Sequence, residues 1–231
     1  RDSGVRSGRT AAPRAAVWRA AYQPRIRTIR PETKNRRPID GNPCRETIVL
    51  TSVSTAVQAG PEERHGRSTA ADARLAVDGK FLRLGAERFL VKGVAYGTFA
   101  PDADGRQFPC PAQMADDFRM MAALGVNTVR TYTPPPRALL DQAAEHGLHV
   151  LVGLPWSQHT AFLDDRRLTR EIRRALVGAV AELADHPAVL AFALGNEIPA
   201  GVVRWHGHVR VERFLRALFQ DAKAASPASL F

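Results

Sequence analysis

The stretch Val189-Leu190-Ala191-Phe192-Ala193-Leu194-Gly195-Asn196-Glu197-Ile198-Pro199 decides the reading of the chain, because an apolar strand ends abruptly in an Asn-Glu pair. Apolar runs of this length suit a parallel strand covered on both faces. Polar residues at the C-terminal mouth of such strands are where α/β barrels keep their sites. Glu197 is therefore the first candidate for chemistry. The structural alternative is a carboxylate that caps the following helix or pairs with a lysine or arginine.

Upstream of this run, apolar strands alternate with helical patterns. Leu75-Ala76-Val77, Asp78-Gly79 and Phe81-Leu82-Arg83-Leu84 predict a small hairpin lying like a lid on a barrel floor, since Asp-Gly tolerates positive φ. Phe89–Val94 reads as the first buried strand. A long polar loop, Tyr96–Pro109, follows; its Asp102 and Asp104 suit turn formation better than catalysis. Pro111 starts a helix whose apolar face is Met114, Phe118, Met121, Ala122 and Leu124, and Gly125 ends it.

Val126–Thr131 is the second strand, with Arg130 near its end, and Pro134-Pro135-Pro136 blocks its continuation before a helix over Arg137–His146. Gly147 stops that helix. His149–Leu154 is the third strand and Pro155–Thr160 the loop above it. Arg166–Asp185 is a long helix with Ile172, Leu176, Val180 and Leu183 in one stripe. After the strand that bears Glu197, Val209–Ala225 predicts one more helix.

This rhythm defines an α/β fold with parallel pairing. A complete eight-unit barrel takes roughly 250 residues, whereas about 160 here follow the pattern and supply about four units. The expected fold is thus a partial (β/α)8 barrel, its first four βα units, over residues 73–231.

Residues 1–72 differ in kind. The net charge of the chain is +10, and residues 1–70 carry 14 Lys and Arg against 6 Asp and Glu, leaving 19 against 17 in the remainder. No sustained period of 2 or 3.6 accompanies this charge, so the segment reads as a disordered basic extension that proteases should trim first. Thr47–Val57 is apolar but has nothing evident to pack on. Arg clusters such as Arg25-Ile26-Arg27-Thr28-Ile29-Arg30 could meet an acidic surface, yet no nucleic-acid-binding pattern accompanies them.

Cys44 and Cys110 show neither metal spacing nor a disulfide framework, and neither metal nor cofactor is expected. Neither a secretory leader nor an apolar run approaching the roughly 18 residues of a membrane helix is seen, so the chain reads as soluble and cytoplasmic by default.

Gly125-Val126-Asn127-Thr128-Val129-Arg130 on strand two and Gly195-Asn196-Glu197 on strand four resemble the retaining glycoside hydrolase clan built on TIM barrels. More narrowly, Arg130-Thr131-Tyr132-Thr133-Pro134-Pro135, Gly153-Leu154-Pro155-Trp156 and Gly195-Asn196-Glu197-Ile198-Pro199 look like bacterial hydrolase-like domains often joined to a family-two-type glycosyltransferase. The resemblance covers roughly residues 75–231.

It implies that Glu197 is the general acid/base, that Asn196 binds the sugar 2-hydroxyl, and that Arg130 orients and ionises the nucleophile. A carboxyl at a half-desolvated mouth has a raised pKa and can deliver a proton, while a fixed guanidinium favours a neighbouring carboxylate. The nucleophile itself would be a second Glu on strand seven, roughly 5 Å from the acid, beyond the four units seen here.

Trp156 and His159, after strand three, suit stacking on a sugar face and bonding to its hydroxyls. Loop packing and a solvated imidazole are the alternatives. Trp205 and His206 after strand four share that ambiguity. Tyr132 departs from the commoner patterns of the clan, which points to an unusual subsite.

The expected function is that of a glycoside hydrolase fragment, inactive alone, acting on a β-glucan-like or other oligosaccharide once the other half barrel is present. The rival reading is a non-catalytic glycan-binding or accessory module of a glycosyltransferase.

Overall fold

The computed structural model describes residues 75–102, 105 and 107–231. The expectations for the basic extension, for Thr47–Val57 and for Asp104 fall outside these residues.

The chain opens with an antiparallel meander in the order β1 (Leu75–Asp78), β2 (Phe81–Leu84), β3 (Glu87–Phe89). Asp78 pairs with Phe81, so the turn residues are Gly79 and Lys80, one step later than Asp78-Gly79. Gly79 supplies the positive φ, 60°. Leu75 shares a small cavity with His149, Val189 and Leu190, and the Phe89 ring meets His149 edge-on with centroids 5.1 Å apart. The meander thus lies against the N-terminal ends of the main-sheet strands.

That main sheet is parallel throughout, in the order β4 (Gly93–Ala95), β5 (Thr128–Thr131), β6 (His149–Gly153), β7 (Val189–Ala193). The connecting helices are α1 (Pro111–Ala123), α2 (Arg137–Glu145) and α3 (Arg166–Leu183), and α4 (Ala200–His206) and α5 (His208–Ala225) follow β7. These are the four βα units of a partial barrel that the rhythm predicts.

Strand one corrects the sequence reading. Phe89 belongs to the meander, Leu90–Lys92 is a connector, and β4 begins only at Gly93. Leu90 and Val91 in the connector and Val94 on β4 are exposed; among the described residues β4 is the sheet edge and pairs with β5 alone. Asn127 holds the connector in place. Its Nδ2 donates to Leu90 O at 2.8 Å, and its Oδ1 accepts from Lys92 N at 2.8 Å and from the Thr128 hydroxyl at 3.0 Å. A polar residue at the foot of a strand here adds side-chain bonds to the main-chain ones that Lys92 O accepts from Asn127 N and Thr128 N.

The strands also alternate in burial, where the apolar run of β7 suggested coverage on both faces. Val129, Val150, Val152 and Phe192 are buried in one core with Met114 and Phe118 of α1, Leu139 and Leu140 of α2, Ile172 and Leu176 of α3, and Leu218 of α5. Burying each such side chain stabilises the fold by about 1.5–3 kcal/mol. The register Ala95, Arg130, Leu151, Ala191 runs along the opposite face, which is only part-buried among the described residues.

Helix α3 has the predicted stripe, with Ile172, Leu176, Val180 and Leu183 buried, and Asp165 caps it by accepting from Arg167 N and Leu168 N. Leu124 leaves the predicted α1 face: it follows the last helical residue and is 81% exposed. Helix α4 was not foreseen, because a seven-residue helix offers too short a period to read. The final residues are not a loose end, since Phe192 N donates to Leu230 O at 3.0 Å along the outer edge of β7 and Phe231 stacks on Phe192. Cys110 is disulfide-bonded, against the expectation from spacing; the other cysteine, Cys44, lies outside the described residues.

Candidate active site

Two close approaches shape the C-terminal ends of the strands. Gly153 ends β6 against β5, where a Cβ would run into Thr131 O and lie 2.9 Å from Tyr132 Cα. Only a glycine lets these strands converge. At Gly195 a Cβ would lie 3.0 Å from Trp156 Nε1, so the absence of a side chain there admits the indole beneath the Asn-Glu pair.

Arg130 stands on the inner-face register at the end of β5. Its Nη2 donates to Asn196 Oδ1 at 2.9 Å, and its guanidinium carbon lies 4.8 Å from the centre of the Tyr132 ring. Its Nε–H is buried and has no partner among the described residues. The structure therefore brings Arg130, Tyr132 and Asn196 together. The Asn196 oxygen is occupied by the arginine, which leaves the Nδ2 hydrogens as the donors it can offer to a ligand.

Glu197 follows directly and is exposed. Helix α4 is entered through Pro199 with no side-chain cap, and no ion pair holds the Glu197 carboxylate among the described residues. Neither bland role, cap or salt-bridge partner, is therefore filled. The half-desolvated setting expected for this carboxyl is not formed either, because the described residues leave it open to solvent.

Trp156 takes the loop-packing alternative. It is 5% exposed, its Nε1 donates to Leu194 O at 2.8 Å, and its ring packs edge-on against Phe162 and Phe214. An indole so enclosed is a wall of the core and a prop for the end of β7, with no face free for a sugar. His159 is exposed and joins no cluster.

Trp205, on α4, is 72% exposed, and its Nε1 donates to Asp164 Oδ2 at 2.7 Å, which fixes the plane of a ring otherwise in water. His206 turns inward: its Nε2 accepts from Leu163 N at 3.4 Å and its ring packs on Phe162.

Sequence reasoning passed over two polar residues. Gln158, 4% exposed, accepts from Asn196 N at 3.3 Å, and Asp164 orients Trp205. Gln158 had one legible signal, its position in the loop above strand three between Trp156 and His159, whereas Asp164 lies beyond that loop and had none. Tyr96, just past β4, donates its hydroxyl to buried Asp117 at 2.7 Å. Burial, then this bond, pushes the phenol far above its ordinary range, so it stays a neutral donor that ties the strand exit to α1. No group of three or more His, Cys, Asp or Glu among the described residues could hold a metal ion, and no described helix is long and apolar enough to cross a membrane.

Comparison with known proteins bears on the fold that carries these residues. The family described as "Glycosyl hydrolases family 2, TIM barrel domain" matches residues 75–218. Among solved structures, β-glucuronidase from Parabacteroides merdae superposes with a TM-score of 0.52 at 19% identity, over 68% of this chain and 20% of that one. The Bifidobacterium dentium β-glucuronidase complexed with coumarin-3-O-glucuronide gives 0.53 at 17%, over 67% and 25%. Saccharomyces cerevisiae Gas2p in complex with laminaripentaose gives 0.51 at 22%, over 68% and 37%. These likenesses establish the fold, and the chain spans about a fifth to two fifths of the length of these proteins. No curated protein matches the chain.

Proposed function

The chain belongs to the TIM-barrel domain family of the family 2 glycosyl hydrolases, and from that premise we propose that it supplies the acid/base half of a retaining glycosidase site. Glu197 is the general acid/base, Asn196 a donor to the sugar 2-hydroxyl, and Arg130 the support of a nucleophilic carboxylate contributed by a later strand. One observation carries the reading: the half-buried Arg130 guanidinium is pinned by Asn196 while its Nε–H lies buried and unspent. A fixed cation with unused donors suits a carboxylate partner, and the described residues place none there.

In this reading the first step breaks the glycosidic C–O bond as the nucleophile attacks the anomeric carbon and Glu197 gives its proton to the leaving oxygen. In the second, Glu197 takes a proton from water, which attacks the same carbon and frees the nucleophile. Closing the mouth with the remaining strands would shield Glu197 from water, the setting in which a carboxyl delivers a proton. The four units alone are inactive in this account, for want of the second carboxylate.

The test is stereochemical. With the full chain joined to strands five to eight of a family member and supplied with an aryl β-glycoside, proton NMR of the first-formed sugar should show the β-anomer. An α-anomer as first product would overturn the retaining assignment.

A second reading rests on Trp205, an exposed indole whose N–H donates to Asp164. Such a stacking surface needs no second carboxylate and would serve a glycan-binding accessory module of a glycosyltransferase. Millimolar oligosaccharide binding that is lost in Trp205→Ala, with no turnover in the completed barrel, would favour it.

A further inference from the structure

Between Ala193 and Asn196, the backbone leading to Glu197 is held, among the described residues, by β6 and the loop after it. Leu154 N donates to Ala193 O at 3.0 Å, Trp156 Nε1 to Leu194 O at 2.8 Å, and Asn196 N to Gln158 Oε1 at 3.3 Å. The first two fix the strand up to Leu194. The third is the only one that reaches the Asn-Glu pair. We infer that Gln158 is a positioning residue that sets the backbone of Asn196, and through it the aim of Glu197; the inference rests on the acid/base reading of Glu197.

The chemistry of the contact makes the amide orientation unambiguous. A main-chain N–H can only donate, so the Gln158 oxygen must face it and the Nε2 hydrogens must face away. Gln158 is 4% exposed. Its own backbone is pinned where Gln158 N donates to Trp156 O at 2.7 Å, so the side chain is presented from a rigid turn. Asn196 is thereby gripped twice, at its amide N–H by Gln158 and at its side-chain oxygen by Arg130. A residue held at both main chain and side chain has little freedom left, and that fixes where the next residue starts. A shift of about 1 Å in a catalytic group can cost on the order of 100-fold in rate.

The test compares Gln158→Met, which keeps the shape and removes the acceptor, with Gln158→Glu, which keeps an accepting oxygen in either protonation state. In the 15N-labelled full chain, the Met variant should speed hydrogen exchange of the Asn196 amide on the order of tenfold and leave the Phe192 amide unchanged. The Glu variant should restore slow exchange. Unchanged Asn196 exchange in the Met variant would overturn the contact.

In the full chain carried within a completed barrel, Gln158→Met should lower kcat by roughly 10- to 100-fold with little change in KM, and Gln158→Glu should recover most of it. Parental kcat in Gln158→Met alongside an impaired Glu197→Gln would overturn the role of Gln158 alone. An unimpaired Glu197→Gln would overturn the reading on which that role rests.

Discussion

Arg130 Nη2 donates to Asn196 Oδ1 at 2.9 Å, joining residues 66 positions apart and tying the end of β5 to the end of β7 across β6. Two motifs that are separate in sequence thus become one site. The arginine engages the asparagine's side-chain oxygen, which leaves its Nδ2 hydrogens to donate beside the exposed carboxylate of Glu197. Anionic or hydroxyl-rich ligands suit such a surface.

Arg130→Lys tests the fork. A lysine keeps the charge but replaces the rigid planar fork, which offers separate N–H groups to Asn196 and to a carboxylate, with a single flexible ammonium. In a completed barrel we expect kcat/KM to fall roughly 100-fold, about 2.7 kcal/mol of transition-state stabilisation. The melting temperature of the chain should change little. A lysine variant with parental kcat/KM would remove Arg130 from the site.

Gly153→Ala tests the convergence of β5 and β6. The new methyl would meet Thr131 O and Tyr132 Cα, backbone atoms of the neighbouring strand that cannot rotate aside. We expect a loss of about 1–3 kcal/mol in urea unfolding. The control, Gly178→Ala on α3, meets nothing within 4 Å and should be neutral or slightly stabilising.

His149 gives the fold a pH dependence. Desolvation where its ring packs on Phe89 lowers its pKa, so the folded chain prefers the neutral imidazole. The unfolded chain then binds a proton first as pH falls through its ordinary value of about 6.5. Stability from this group is full above that value and declines toward the lower folded pKa, with a slope of at most about 1.4 kcal/mol per pH unit. Denaturation midpoints between pH 7.5 and 5 should fall less steeply in His149→Gln than in the parent. Parallel slopes would contradict the assignment.

Much of this was legible in the sequence, for identifiable reasons. Helix α3 announced itself because Ile172, Leu176, Val180 and Leu183 repeat at the helical period. Gly125 and Gly147 announced helix ends because both take positive φ, 78° and 69°. Strand one was misread because Phe89-Leu90-Val91 is as apolar as a buried strand; only tertiary pairing, clipped by Asn127, splits it between two sheets. The Arg130–Asn196 pair was placed by motif and strand order, whereas their bond depends on side-chain reach across β6. Trp156 shows the opposite limit: an indole after a barrel strand reads the same in sequence whether it faces a sugar or Phe162 and Phe214. Gln158 left no pattern, since its role lies in one acceptor aimed at one amide.

The most direct measurement of the central claim is the activity of Glu197→Gln in a completed barrel on substrates with poor and with activated leaving groups. Gln keeps the shape and removes the proton. Turnover with poor leaving groups should drop by roughly two to four orders of magnitude, while formation of the glycosyl-enzyme from activated aryl glycosides drops much less. Added azide should restore turnover by attacking the intermediate without base help. Equal losses on both substrates with no azide rescue would contradict the account, and would mark Glu197 as a binding or structural carboxylate.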